Sequence, residues 1–368
     1  MAHLDPDRLF PAETQARNLA RDLYRTVAEL PIVSPHGHTN PRWYAENEAF
    51  PDPAQLFVTP DHYVFRMLFS QGVPLEALGV PAADGTRSET DGRKIWRIFA
   101  ENYYLLRGTP SRMWLDHSFQ EVFGLEKRLS PETADDFYDH IDACLKTPEF
   151  RPRALFERFD IEVIATTESP LDDLRWHLMI RESGLSGRVV TSYRPEAVVD
   201  PEFEGFAENI EKFAQIAGTD ATNWDGYLEA HRIRRAYFKE FGATSSDHGH
   251  ATARTENLPR SEAVALFEKA LKGKCSAEEA DAFRGHMLTE MARMSIDDGL
   301  VMQIHPGSRR NVNPQVFNRF GRDKGADIPS PTNYIYGLQA LLNRNDNESA
   351  LKIILFTLDE TTYSRELA

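Results

Sequence analysis

Short, β-branched runs alternate with amphipathic helical patterns along nearly the whole chain, and this alternation constrains the fold more than any other feature. The runs are Leu30-Pro31-Ile32-Val33-Ser34-Pro35, Glu162-Val163-Ile164-Ala165-Thr166-Thr167, Arg188-Val189-Val190-Thr191-Ser192-Tyr193, Ala243-Thr244-Ser245-Ser246, Val301-Met302-Gln303-Ile304, and residues 351–358. Each is short for a helix and suits a pleated, buried surface. Ahead of the first, Ala16, Leu19, Ala20, Leu23, Val27 and Leu30 recur at helical spacing. After the second, Ser169-Pro170 is read as the start of a helix faced by Leu171, Leu174 and Leu178 and ended by Gly184. Phe203, Phe206, Ala207, Ile210 and Phe213 form another, closed by Gly218, and Ser276 with Glu279 fits a capping box. Strand–helix alternation of this kind predicts a parallel sheet with covering helices.

Two stretches exceed an ordinary crossover. Residues 40–160 read as a helical insertion rich in aromatics, and residues near 249–300 as a second one. The expected organisation is therefore residues 1–39 as an N-terminal helix and first strand, 40–160 as the insertion, and 161–368 as the remaining strands. Within the insertion, Tyr63 precedes Arg66 by one helical turn, which places both on one face. Trp96, Tyr103, Tyr104 and Trp114 are expected in the insertion's core.

The chain has 368 residues, 41% hydrophobic and 27% charged, enough for two average domains or for one large α/β barrel with insertions. A net charge of −15 argues against nonspecific nucleic-acid binding and against an anionic membrane surface. It also means that an anionic substrate would need arginines gathered locally against the overall field. Cys144 and Cys275 stand in unrelated contexts, so neither a disulfide framework nor a thiolate metal site is indicated. No secretory signal is visible at the N-terminus, and no apolar run approaches the ~18 residues of a membrane span. The expected compartment is the cytoplasm.

Each predicted strand finishes in groups suited to chemistry. The first ends in His36-Gly37-His38, whose imidazoles point the same way in extended backbone and can converge on one ion. The others end in Thr166-Thr167-Glu168-Ser169, Tyr193-Arg194-Pro195, Asp247-His248-Gly249 and His305-Pro306-Gly307. In a parallel barrel these ends meet on one face. Arg309, Arg310, Asn311 and Asn313 follow His305 closely, and guanidinium groups suit bidentate recognition of a carboxylate.

Taken in order, Pro35-His36-Gly37-His38, Asp61-His62-Tyr63 with Arg66, Thr166-Thr167 followed by Pro170, Tyr193-Arg194-Pro195, Ser246-Asp247-His248-Gly249, and Met302-Gln303-Ile304-His305 leading into Gly307 and Arg310-Asn311-Val312-Asn313 resemble the uronate isomerases. This family is a branch of the metal-dependent amidohydrolase superfamily. The resemblance implies an α/β fold, a (β/α)8 TIM-type barrel with a large helical insertion after its first strand. It implies interconversion of D-glucuronate with D-fructuronate and of D-galacturonate with D-tagaturonate. It implies one divalent metal, zinc by expectation, on His36 and His38, with Tyr63 and His305 as catalytic candidates. Arg194, Arg310 and Asn311 are then candidates for holding the sugar and its carboxylate. The partner would be a small-molecule hexuronate, with no nucleic acid and no membrane, and a homo-oligomer is compatible.

The chain departs from the family pattern at two places. Asp247-His248 stands where many amidohydrolases carry a bridging lysine, in agreement with a single metal. The family's last two strands, with a tryptophan-rich loop and a strand-end aspartate, are not found in these 368 residues, and Asp359, Glu360 and Glu366 do not take that aspartate's place. Two rival readings follow: a one-metal hydrolase or decarboxylase on the same fold, or a shortened non-catalytic relative that binds a sugar acid or another subunit.

Overall fold

Residues 4–346 and 348–367 are described by the computed structural model. The chain divides into two compact units. The first comprises residues 1–32, 46–161 and 310–327, and the second residues 33–45, 162–309 and 328–368.

The second unit is built on a curled parallel sheet. Its strands are β1 (Ile32–Ser34), β2 (Ile161–Glu168), β3 (Arg188–Tyr193), β4 (Ser245–His248) and β5 (Val301–Ile304), and β8 (Ile353–Leu355) closes the order β1-β2-β3-β4-β5-β8. Pairing is parallel from β2 through β8, with Thr166 opposite Thr191, Asp247 opposite Gln303, and Ile304 opposite Leu355. These pairings align the carboxyl ends of the strands, so the polar groups that finish them share one edge. Two short strands outside this order, β6 (Ser308–Arg309) and β7 (Ile328–Pro329), form an antiparallel ribbon that the sequence pattern does not reveal. Two residues are too few to carry a readable alternation.

Helices cover the sheet where the apolar spacing places them. Phe206–Ala217 ends on Gly218 at φ 68°, the left-handed position that favours glycine. Ala277–Asp298 opens with a reciprocal box in which the Ser276 hydroxyl accepts from the Glu279 N–H and the Glu279 carboxylate accepts from the Ser276 N–H. Asn223 caps Trp224–Glu240 by accepting from the Gly226 N–H at 3.0 Å. Such a cap is worth about 1 kcal/mol. Tyr227, Phe267 and Phe283 stack between these helices, with Tyr227 and Phe267 centroids 4.5 Å apart.

One helix starts later than its sequence suggests. Ser169-Pro170 does not open it. The Ser169 hydroxyl accepts from the Leu171 N–H and its carbonyl from the Asp172 N–H, making a turn. The helix runs Arg175–Glu182 after Leu174, which takes φ 56°. The side chains of Asp172 and Asp173 accept the N–H groups of Leu174 and Arg175, so local side-chain bonds win over the helix start expected at Ser169.

The first unit is helical, with Trp96, Phe99, Phe119 and Phe137 at its centre. Trp96 and Tyr103 are buried as expected, but Tyr104 and Trp114 are exposed. In the 3-10 turn Tyr103–Leu106, residues 103 and 106 point inward and turn Tyr104 out, and Pro110–His117 buries only Leu115. The helix Thr14–Arg25 buries none of its residues, and Leu19, Leu23, Val27 and Leu30 are exposed. Among the described residues no helix is long and apolar enough to cross a membrane.

Candidate active site

Asp247 is the centre of the strand-end cluster. It lies on β4, wholly buried, with His36 from the loop after β1 on one side and His305 from the loop after β5 on the other. His305 Nε2 donates to Asp247 Oδ1 at 2.7 Å, and His36 Nδ1 lies 3.5 Å from the same oxygen. One ligand atom from each of His36, Asp247 and His305 falls within 4.8 Å of the others. Asp247 Oδ2 is buried and accepts no hydrogen bond. A buried carboxylate oxygen without a donor is costly unless a cation completes it. Two imidazoles and such an oxygen are a donor set that fits a borderline divalent ion such as zinc.

Hydrogen bonds hold both the His36 and His38 rings, and the one at His36 fixes its tautomer. Gln303 Nε2 donates to the Pro35 carbonyl at 3.0 Å, so its Oε1 faces His36 Nδ1 at 2.9 Å as an acceptor. His36 therefore carries its proton on Nδ1 and keeps a lone pair on Nε2. Thr167 braces His38. Its hydroxyl is 3.5 Å from the Gly37 carbonyl and 2.9 Å from His38 Nδ1. Partners of this kind orient metal-binding imidazoles and raise their basicity. The His36 and His38 rings stand perpendicular, 5.2 Å apart. Burial lowers the pKa of His38, and the Arg194 charge lowers it further, which favours the neutral form a metal requires. Phe356, just past β8, closes one wall against His36 and His305 at 5.5 and 6.4 Å.

Arg194, at the end of β3, is held between two carboxylates. Its Nε lies 3.3 Å from Glu196 Oε2 and 3.6 Å from Asp247 Oδ2. The other Glu196 oxygen accepts the Gly249 N–H. A side chain at position 249 would press on the cluster itself. A Cβ there would meet His305 Cε1 at 2.8 Å, Glu196 Oε1 at 3.0 Å and Arg194 Nη2 at 3.1 Å. Burial pushes the Asp247 carboxyl up, but the hydrogen bond from His305 and the charges of His305, Arg194 and His36 outweigh it and hold the group below its ordinary value. Asp247 is thus held in its anionic form.

Of the residues singled out from the sequence, the second unit brings together His36, His38, Arg194 and His305. Tyr63, Arg310 and Asn311 belong to the first unit. Tyr63 is half exposed on the helix His62–Phe69, and the Arg66 guanidinium lies 5.0 Å from its ring centroid, on the shared face that their spacing predicts. Arg310 Nη1 is 3.6 Å from Asp323 and 3.7 Å from Asp327, and the Asn311 N–H donates to Asp327 at 2.8 Å. Gly325 fastens this loop to that helix, because a Cβ there would come within 2.7 Å of the His62 carbonyl. Sequence reasoning did not assign roles to Asp247, Glu196, Thr167 and Gln303. Asp247 stands among the strand-end groups that the sequence marks as suited to chemistry, without a role of its own. Gln303 could not be reached from the sequence, because its role depends on β5 lying where its side chain meets the loop after β1.

A curled parallel sheet with two histidines and a buried aspartate over its strand ends defines an α/β enzyme with its chemistry mounted on the loops that leave the strands. A family model described as glucuronate isomerase matches residues 12–368. The uronate isomerase of Rhizobium meliloti is 63% identical over 365 residues, 99% of this chain and 78% of that protein. The uronate isomerase of Mesorhizobium japonicum is 62% identical over 368 residues, again 78% of its length. Among solved structures, glucuronate isomerase from Caulobacter crescentus superposes with a TM-score of 0.96 at 56% identity, covering 99% of this chain and 76% of that one. Uronate isomerase from Thermotoga maritima gives 0.88 at 28% identity, with 99% and 77% covered. The chain belongs to the glucuronate isomerase family.

Proposed function

We propose that this chain interconverts D-glucuronate with D-fructuronate, and D-galacturonate with D-tagaturonate, at the strand-end cluster around Asp247. Family membership at 63% identity carries the reaction class, and the buried Asp247–His305 pair is the observation that carries its location. Aldose–ketose isomerisation moves a proton between C1 and C2 of the open-chain sugar while the carbonyl changes place. It needs a positioned acid and base and a cationic grip on the carboxylate. Family membership at this identity over nearly the whole chain favours the isomerase over the hydrolase, decarboxylase and non-catalytic readings.

His36 and His38 are proposed to hold one divalent ion, zinc by preference, together with Asp247; Asp247 groups within 4.8 Å of His36 and His305, and His38 is included on family resemblance. A bound ion of this kind orients the substrate and polarises its oxygens. His305 is proposed to hold a proton at Nε2, where Asp247 fixes the imidazole's orientation. Arg194 is proposed to bind the sugar, and its Nε contacts with Glu196 and Asp247 fix the plane of the guanidinium. Tyr63 as a proton-transfer group, and Arg310 and Asn311 as carboxylate-binding groups, are proposed on family resemblance. Phe356 would help to exclude water from the reacting carbons.

The parallel sheet is proposed to be part of a (β/α)8 barrel of the amidohydrolase kind. In its order, β1 and β8 each have one neighbour, and Val33 and Ile354 on these strands are exposed. Edge strands leave a row of backbone groups unpaired, and the family pattern would place two further strands between β8 and β1. A cytoplasmic setting suits this sugar-acid chemistry.

Incubating the purified protein with D-glucuronate and following the sugar by NMR tests the reaction. Appearance of D-fructuronate with no carbon dioxide release is expected. Decarboxylation, or a substrate left unchanged at high protein concentration, would overturn the reading.

A further inference from the structure

The helical layer of the second unit contains a cavity of about 660 Å³, lined by residues that take no part in the strand-end cluster. Glu290 projects into it from the middle of the long helix Ala277–Asp298 and is only 4% exposed. Its Oε1 pairs with Arg344 Nη1 at 3.1 Å. Its Oε2 is buried and has no hydrogen-bond donor; the nearest cation, Arg293 Nη1, stands off at 3.6 Å. A buried carboxylate oxygen in this state costs free energy that a bound hydroxyl would recover.

The charges around the cavity set the sign of a ligand. Arg232, Arg260, Arg293 and Arg344 line it, against Asp225, Glu229 and Glu290. Arg232 pairs with Glu229 at 3.5 Å and Arg260 with Asp225 at 2.6 Å, so those charges balance within the wall. Arg293 and Arg344 share the single carboxylate of Glu290, which leaves one positive charge in surplus. The His286 imidazole does not add to it. Leu258 N–H donates to His286 Nδ1 at 3.3 Å, the ring stacks on Trp224 at 5.7 Å, and burial lowers its pKa. The opening therefore offers a surplus guanidinium for an anion, a carboxylate oxygen without a hydrogen-bond donor for a hydroxyl, and a flat aromatic wall.

We propose that this cavity is a second binding site, distinct from the strand-end cluster, for a small polyhydroxy monocarboxylate. The ligand's carboxylate would lie against Arg293 and Arg344, and one of its hydroxyls would donate to Glu290 Oε2. A phosphorylated sugar fits less well, because its second negative charge finds no second surplus cation. Sugar acids are also the substrate class proposed above. On that reading, which the site's existence does not require, the cavity lets a sugar acid bind the enzyme away from the chemistry.

D-gluconate is the probe, since it is a polyhydroxy monoanion with no carbonyl to isomerise. Calorimetric titration of the full chain should show gluconate binding that survives His36→Ala. Glu290→Gln and Arg293→Met should each weaken that binding by about tenfold or more, and sorbitol, the neutral counterpart, should bind much more weakly than gluconate. Arg293 is half exposed, so its replacement leaves the fold intact and makes it the deciding variant. Gluconate binding that is wholly lost in His36→Ala, or that is unchanged in Arg293→Met, would overturn the proposal. The glucuronate assay on the unsubstituted protein reports on the isomerase reading separately, so either can fail without the other.

Discussion

His305 Nε2 and Asp247 Oδ1 lie 2.7 Å apart, with the carboxylate wholly buried and its second oxygen lacking any hydrogen-bond donor. The imidazole arrives from the loop after β5 and the carboxylate from β4, so the contact exists only because these strands pair in parallel with Asp247 opposite Gln303. Register therefore sets the chemistry. A slip of one residue would turn Asp247 away from the cluster.

Gln303 should govern metal affinity without touching the metal. It fixes the His36 tautomer through Nδ1 and ties down the Pro35 carbonyl. Gln303→Leu should weaken zinc binding by about 10–100-fold, as loss of such partners typically does. His36→Ala should reduce metal content outright. Elemental analysis after dialysis against a graded chelator distinguishes the two, and unchanged retention in both variants would reject the assignment.

Glu196 should act through Arg194. Glu196→Gln loosens the guanidinium at 3.3 Å and leaves Asp247 as its remaining carboxylate neighbour here. The expected effect is a rise in KM for glucuronate of about tenfold, with a smaller change in kcat. Glu196→Asp should recover part of the loss. Equal changes in kcat and KM would mean that Glu196 serves folding instead.

The fold and the site differ in how far the sequence exposes them. The strands around Glu162–Thr167, Arg188–Tyr193 and Val301–Ile304 could be read directly because hydrophobic runs bounded by polar turns have a local cause. His36 and His38 were visible because their spacing is itself geometric. Asp247 as partner of His305, Gln303 as brace of His36, and Glu196 as clamp of Arg194 were not. Each depends on two segments far apart in sequence meeting across a sheet register. The exposed positions of Tyr104 and Trp114 escaped notice for a different reason: aromatic composition suggests burial, whereas the turn of the chain decides which ring points inward.

Acid should destabilise the protein before it reaches the ordinary carboxylate range. Burial depresses the His250 pKa to about 4 and that of His231 well below its ordinary value. Unfolding lets both take up protons near pH 6.5, so the unfolded state binds more protons and stability falls as pH drops from about 6.5 toward 4. His177, lowered to about 4, is largely offset by its neighbour Glu168, raised to about 7 by burial, whose effect has the opposite sign. For His250 alone the loss between pH 7 and pH 5 is about 2 kcal/mol. Urea midpoints at the two pH values check this, and a flat profile would contradict it.

Leu19, Leu23, Val27 and Leu30 put an exposed apolar stripe on and just beyond the helix Thr14–Arg25. Contiguous exposed apolar residues of this kind mark association surfaces. The chain should elute above its monomer mass in size-exclusion chromatography, and Leu23→Glu with Val27→Lys should shift it toward monomer. An unshifted profile would show that this helix is not the contact.

Hexuronate isomerisation is proposed to take place at the cluster around Asp247. The most direct measurement is the rate of conversion of D-glucuronate to D-fructuronate by the protein and by Asp247→Asn, a change that keeps the side chain's shape and removes its charge. The prediction is measurable conversion by the unsubstituted protein and a loss of at least about a hundredfold in the variant, with its thermal unfolding still cooperative. Conversion at the same rate in both proteins would contradict it.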